Sequence, residues 1–271
     1  MKRMSLSRKM MLCGLAVFLP FAALYVVPLV MTLWYSVMEN SFSMRFVGLL
    51  HYKEVWANEY FQMGLHNTFL ISLASVGCNV MLLLCACFFG MYLPSYALRL
   101  LILLCIPYFA PSASVAAVWR SLFGTTLFSS DAWLRFSIGC LFLWKYSGVC
   151  VLILTVGIRQ IPPEYLEAAE IDGAGRLRRY LLIALPMCRQ ILSLLLILML
   201  AYALRLYRED YLLYGEYPVD GVYLLQHYLT NHFRKLHYPS VAAGTVIFVG
   251  LCSIIYGLMG LLSQKREREE S

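Results

Sequence analysis

Residues 60–98 read YFQMGLHNTFLISLASVGCNVMLLLCACFFGMYLPSYAL, 39 positions without Asp, Glu, Lys or Arg. A helix needs about 20 predominantly apolar residues to cross a bilayer, so this stretch is long enough to span one. The pattern repeats on both sides. Residues 10–38 (29 positions), 100–119 (20) and 236–264 (29) are equally free of those four residue types. Residues 136–158 hold one charge, Lys145, and residues 190–204 make a run of 15 between Arg189 and Arg205. The two arginines extend that run when their stems lie along apolar surface and their heads reach outward. The expected fold is an all-α membrane protein with six transmembrane helices, at roughly 10–35, 66–90, 99–120, 137–158, 185–206 and 240–262.

Composition agrees. Of 271 residues, 61% are hydrophobic and 14% charged, against about 25% charged in a soluble domain. So few polar groups do not cover a water-facing surface of this size, and the lipid bilayer is the first expected partner. The net charge of +7 reads as topology. Thirteen of the 22 Lys and Arg fall in the N-tail, at Arg99, in the 158–190 loop and in the C-tail, which is the bias of cytoplasmic segments. The basic residues form no single patch, so nucleic acid is not an expected partner. Lys2, Arg3, Arg8 and Lys9 precede an apolar run longer than the roughly 7–15 residues of a signal peptide core, which predicts an uncleaved first helix. The expected organisation is a cytoplasmic N-tail (1–9), a six-helix transmembrane domain (10–262) with an inner loop (158–190), and a cytoplasmic C-tail (263–271). Both termini are then cytoplasmic.

The inner loop carries the strongest local pattern. Pro162-Pro163 ends the fourth span, and a proline suits the first turn of a new helix. Glu164 to Ile171 reads as a short amphipathic helix with acids in its early turns. Asp172-Gly173-Ala174-Gly175 is a turn, and Arg176 to Ile183 predicts a second helix before Pro186. Ala168, Ala169, Gly173, Ala174 and Gly175 leave backbone open to close approach, which suits a docking element better than a plain interfacial connector.

Glu167 to Pro186, EAAEIDGAGRLRRYLLIALP, resembles the EAA loop of binding-protein-dependent ABC importer permeases: Glu167-Ala168-Ala169, Gly173, Ile183, Leu185 and Pro186 stand at the family spacing. Gly48-Leu49 with His51-Tyr52, Asn67-Thr68, Pro107 with Trp119-Arg120, Trp144-Lys145, and Gly215 with Pro218 are similar to further features of the carbohydrate type, on the side of the glycerol-phosphate and maltose-type first permease. The resemblance implies a type I importer transmembrane domain. It implies ATPase coupling through Glu167, Ala168, Ala169, Asp172, Gly173, Ala174, Arg178 and Arg179. The implied partners are ATP-binding cassette subunits, a second permease subunit and an extracytoplasmic solute-binding protein, with no cofactor. The positions matching the family's solute path are Lys145, Tyr146, Val149, Met199, Tyr202 and Leu206, without the asparagines of maltose-type relatives.

Arg208, Asp210, Tyr211 and Tyr214, with Arg205 and Glu209, cluster at the outer end of the fifth helix; they read as a gate or receptor surface, or as an aromatic belt with local ion pairs. Lys145 reads as a site in the solute path or as an interface lysine snorkelling past Trp144. The nine cysteines suit apolar packing, since Cys85 and Cys87 are too close for a zinc knuckle. His227, His232 and His237, five apart, do not share a helical face as metal ligands would. No metal is expected. No G-x-x-x-x-G-K-[ST] phosphate loop occurs, so ATP hydrolysis is expected in a separate subunit. The alternatives are an importer permease for a non-sugar solute and, further off, an ion-coupled carrier.

Overall fold

A computed structural model describes residues 6–40, 43, 45–92, 99, 101–124 and 130–268. Among these, five helices are long and apolar enough to cross a membrane, or six if one bent pair counts as a span. The first four helices in chain order are α1 (Leu6–Tyr35), α2 (Leu50–Ala57), α3 (Glu59–Tyr92) and α4 (Ile106–Phe109). They are followed by α5 (Ser112–Phe123), α6 (Asp131–Arg159), α7 (Pro163–Ile171) and α8 (Arg176–Arg179). The last are α9 (Leu185–Met187), α10 (Arg189–Ala203), α11 (Tyr207–Tyr214), α12 (Leu225–Arg234) and α13 (Tyr238–Arg268).

Four expectations change. The third span is not one rod. The stretch Ile102–Phe109, which ends in α4, meets α5 at 103°, because Pro111 follows Ala110, and a residue before proline is pushed to extended backbone; Ala110 has φ −67° and ψ 135°. The second span starts at Glu59 rather than near 66, after the short α2. At 34 residues it is about 50 Å long, more than the ~30 Å hydrocarbon layer needs. The fifth span breaks at Leu204–Leu206 and resumes as α11. Finally, α8 stops at Arg179 and a wider π turn, Tyr180–Ala184, leads into α9. Pro186 offers no N–H and its ring crowds the carbonyl four residues back. The wider turn relieves this, with Leu185 N–H donating to the Tyr180 carbonyl, five residues back.

The chain divides into two compact units. The first comprises Met1–Gln62 and Tyr228–Ile254. In it, an isolated bridge pairs Met38 with Phe46, and Phe61 meets Tyr228 edge-on at 5.4 Å. Apolar side chains along α1, such as Leu24 and Tyr25, are exposed, as a lipid-facing helix requires.

The second unit comprises Met63–His227 and Ile255–Ser271. Its axis is α6, capped by the Ser130 hydroxyl accepting from the Trp133 N–H at 3.3 Å. Two apolar cores lie along α6. One gathers Ile71, Trp119, Leu141, Phe142, Tyr146, Ala203 and Leu213. The other gathers Leu83, Cys87, Cys150, Leu154, Tyr180, Leu195 and Met199. Between them, Gly148 lets α6 lie directly on the turn Ile102–Cys105; a Cβ there would overlap the Leu104 carbonyl.

Candidate functional site

Two places in the second unit hold the residues singled out from sequence. The first is the turn between α7 and α8. Pro163 opens α7 with Pro162 as its N-cap, as expected. The helix closes in a Schellman arrangement: Gly173 N–H donates to Glu170 O at 3.0 Å and Ala174 N–H to Ala169 O at 2.8 Å. That closure needs a residue with positive φ, and Gly173 has φ 81°. A Cβ at Gly173 or Gly175 would touch nothing within 4 Å, so the bend is bare. Glu167, Ala168, Asp172, Gly173 and Arg178 are exposed, while Ala169 and Ala174 are half-buried. Ile171 is 87% exposed, and an open cleft is lined by Gly175, Arg176, Leu177, Arg178, Leu181 and Leu182.

Arg179 differs from its neighbours. Its side chain is mostly covered and forms an ion pair with Glu170 across the turn, so it braces α8 against α7. Glu170 is the partner that sequence reasoning missed; nine positions from Arg179, it fits no helical spacing. The turn is tied to the helices behind it. Tyr92 donates to the Arg176 carbonyl at 3.1 Å, and Tyr180 to the Leu84 carbonyl at 2.7 Å.

The second place lies on α6. Lys145 is the middle residue of Asp131–Arg159, 5% exposed, and it forms an ion pair with the buried Glu209 of α11. The snorkelling alternative is therefore overturned: the ammonium is inside. Glu209 also accepts from Ser112 Oγ at 2.7 Å, and Lys145 Nζ lies 3.3 Å from the same hydroxyl. Three elements, α5, α6 and α11, thus meet at one ion pair. Beside it, the Tyr146 and Tyr202 rings stack at 4.9 Å, and the Tyr108 and Tyr202 hydroxyls are 3.1 Å apart. Lys145, Tyr146 and Tyr202 are thus brought together. Leu206 sits in the same apolar core as Tyr146, whereas Met199 belongs to the other and Val149 to neither cluster.

The outer cluster also changes. Arg208 is exposed, but Asp210 is buried, so the four residues do not form one receptor-facing surface. Glu209 and Asp210, adjacent on α11, are both buried, at 3% and 1% exposed. Asp210 faces His227 Nε2 at 3.5 Å. His227 Nδ1 accepts from the Leu224 N–H at 3.1 Å, so the neutral ring carries its proton on Nε2, toward Asp210. Burial pushes His227 down from 6.5 to about 4. Tyr207 and Tyr223 flank the ring at 4.8 and 5.5 Å.

The family described as binding-protein-dependent transport system inner membrane component matches residues 79–268. The chain belongs to that family. Within this transport-component family, the sulfoquinovosyl glycerol transport system permease protein SmoG of Agrobacterium fabrum is 30% identical over 132 residues, covering 48% of this chain and 43% of that protein. The sn-glycerol-3-phosphate transport system permease protein UgpA of Yersinia pseudotuberculosis is 29% identical over 196 residues, covering 63% and 65%. The alignments thus span less than two thirds of these relatives' own length. A crystal structure of a bacterial ABC transporter involved in the import of the acidic polysaccharide alginate contains a chain of the same fold. Its TM-score is 0.81 at 17% identity, over 96% of both chains. The match includes Glu167 to Pro186, so the family resemblance read from that stretch is borne out, and with it the all-α importer fold. Members are inner-membrane components, and the multi-pass helices agree.

Proposed function

We propose that this chain is a permease subunit of an ATP-binding-cassette importer that moves a carbohydrate across the cytoplasmic membrane by alternating access. Hydrolysis belongs to separate ATPase subunits, which dock on the 158–190 turn. That places the turn and both termini in the cytoplasm. A second permease subunit and an extracytoplasmic solute-binding protein complete the assembly. The observation that carries this reading is the bare, glycine-capped bend at Asp172–Gly173, exposed on α7 and braced by the Arg179–Glu170 pair. Such an element transmits a push only if it is rigid in itself and open to a partner. The carbohydrate part is supported by the names of the relatives, which concern sugar derivatives and glycerol phosphate. The Tyr108, Tyr146 and Tyr202 group suits it, since aromatic faces and hydroxyls fit sugars.

The test is copurification and uptake. Replacing Glu167→Lys or Gly173→Trp is expected to leave the chain in the membrane, release the ATPase subunit and abolish uptake. Full uptake with full ATPase retention in both variants would sink the docking role. Uptake that survives deletion of the ATPase would instead favour an ion-coupled carrier.

A further inference from the structure

Glu209 holds Lys145 with one of its oxygens only. Oε1 accepts from Lys145 and from Ser112. Oε2 is buried and has no hydrogen-bond partner among the described residues. The ammonium has three protons, and Glu209 and Ser112 take two of them. The pair therefore keeps one acceptor and one donor in reserve, deep inside the second unit. Tyr146 lies against it, with its ring 5.6 Å from the Lys145 Nζ and stacked on Tyr202. An empty acceptor in a buried site is costly, and a buried ion pair stabilises a fold no better than well-packed apolar residues. Neither feature is what a purely structural brace selects for. Both are what a ligand-binding centre needs.

Charge balance then decides the ligand. Lys145 and Glu209 neutralise each other, and Arg205, the other charge acting on Tyr146 and Tyr202, is exposed to solvent that screens it. An anionic solute would have to draw Lys145 away, leaving the buried Glu209 carboxylate unpaired. A cationic solute would strand the ammonium instead. An uncharged solute with several hydroxyls does neither. One hydroxyl donates to Glu209 Oε2 and accepts the third Lys145 proton, while a ring face lies on the tyrosines. We infer that Glu209 is a built-in counter-ion that sets the solute class: the path takes an uncharged, polyhydroxylated solute rather than an acidic sugar. The inference rests on the importer reading above and adds the charge of the cargo.

The experiment uses cells making the complete transporter. They receive an equimolar mixture of neutral oligosaccharides and their uronate, sulfate and phosphate counterparts, and the accumulated solutes are identified by mass spectrometry. A strain lacking this chain is the reference. The expected result is chain-dependent accumulation of an uncharged solute. Glu209→Gln, which frees Lys145 of its counter-ion, is expected to cut that uptake about ten- to a hundredfold, as loss of a hydrogen bond to a charged group does. Because that variant leaves a lone buried charge, the double variant Lys145→Met with Glu209→Met is the companion. It is expected to keep its unfolding temperature and its ATPase subunit, yet lose uptake to the same degree. An acidic solute as the accumulated cargo overturns the inference, and so does a double variant that transports at the wild-type rate. No chain-dependent accumulation of any sugar, with the ATPase still copurifying, refutes the carbohydrate reading itself and the inference with it.

Discussion

In the turn between α7 and α8, the residues singled out are near neighbours in the chain and mostly exposed. Around Lys145 they are buried, and they lie 33 and 64 positions away in the chain, at Ser112 and Glu209. The turn keeps its shape mainly through near neighbours: two backbone hydrogen bonds, one glycine and the Arg179–Glu170 pair nine positions apart. The Lys145 centre keeps its shape only because α5, α6 and α11 are packed against one another. A locally determined element can be offered to a partner and still hold its form. A centre built from three elements changes whenever any of them moves, which suits a solute path that opens and closes.

That contrast predicts a graded set of effects. The largest belongs to the buried centre. Glu209→Ala leaves Lys145 charged and unpaired, and a loss of about 3–5 kcal/mol is expected. Adding Lys145→Met should recover most of it, as measured by thermal unfolding in detergent. If the single variant unfolds at the wild-type temperature, the pair is not buried as described.

A pH effect comes next. Because burial holds His227 near 4 instead of 6.5, the unfolded chain takes up a proton first as pH falls. Its contribution to stability is complete above 6.5 and is lost toward 4. The groups facing the ring are Asp210, Tyr207, Tyr211 and Tyr223. The wild type should lose unfolding temperature relative to His227→Phe as pH falls across that window.

The turn should respond more mildly in stability and more sharply in assembly. Gly173→Val forces a β-branched residue to φ 81°, at a cost of about 1–2 kcal/mol. ATPase copurification should nevertheless fail, because the bend no longer closes. Arg179→Ala removes a pair whose Glu170 side is 66% exposed, so below about 1 kcal/mol is expected. Arg178→Ala, on the exposed face, should change stability by less than about 0.5 kcal/mol while weakening ATPase retention in a pull-down. If Arg178 and Arg179 behave alike in both assays, the division between docking face and brace is wrong.

Legibility in the sequence followed the same division. The bend at Gly173 was readable because turn chemistry is local: a positive φ calls for glycine wherever the chain reverses in this way. Lys145 stood out as a charge in an apolar run, but its alternatives stayed open because its partner was out of sequence range. Glu209 itself was visible only as one member of a polar outer cluster. The bent third span was similarly hidden. Residues 100–119 form an uninterrupted uncharged run, and hydropathy does not register that Pro111 turns its two halves by 103°.

By itself, the sequence determined that lipid surrounds most of this chain, about how many times it crosses, and that the stretch from Pro162 to Pro186 forms a hinged pair of helices. These follow from apolar run length and from turn residues, which act within a few positions. Only the tertiary structure decided that Glu209 and Asp210 of α11 are buried, that Arg179 pairs with Glu170 across the turn, and that Glu209 neutralises Lys145. Each of these depends on which distant surfaces the helices bury together, and a desolvated charge takes whatever counter-charge the packing brings within reach.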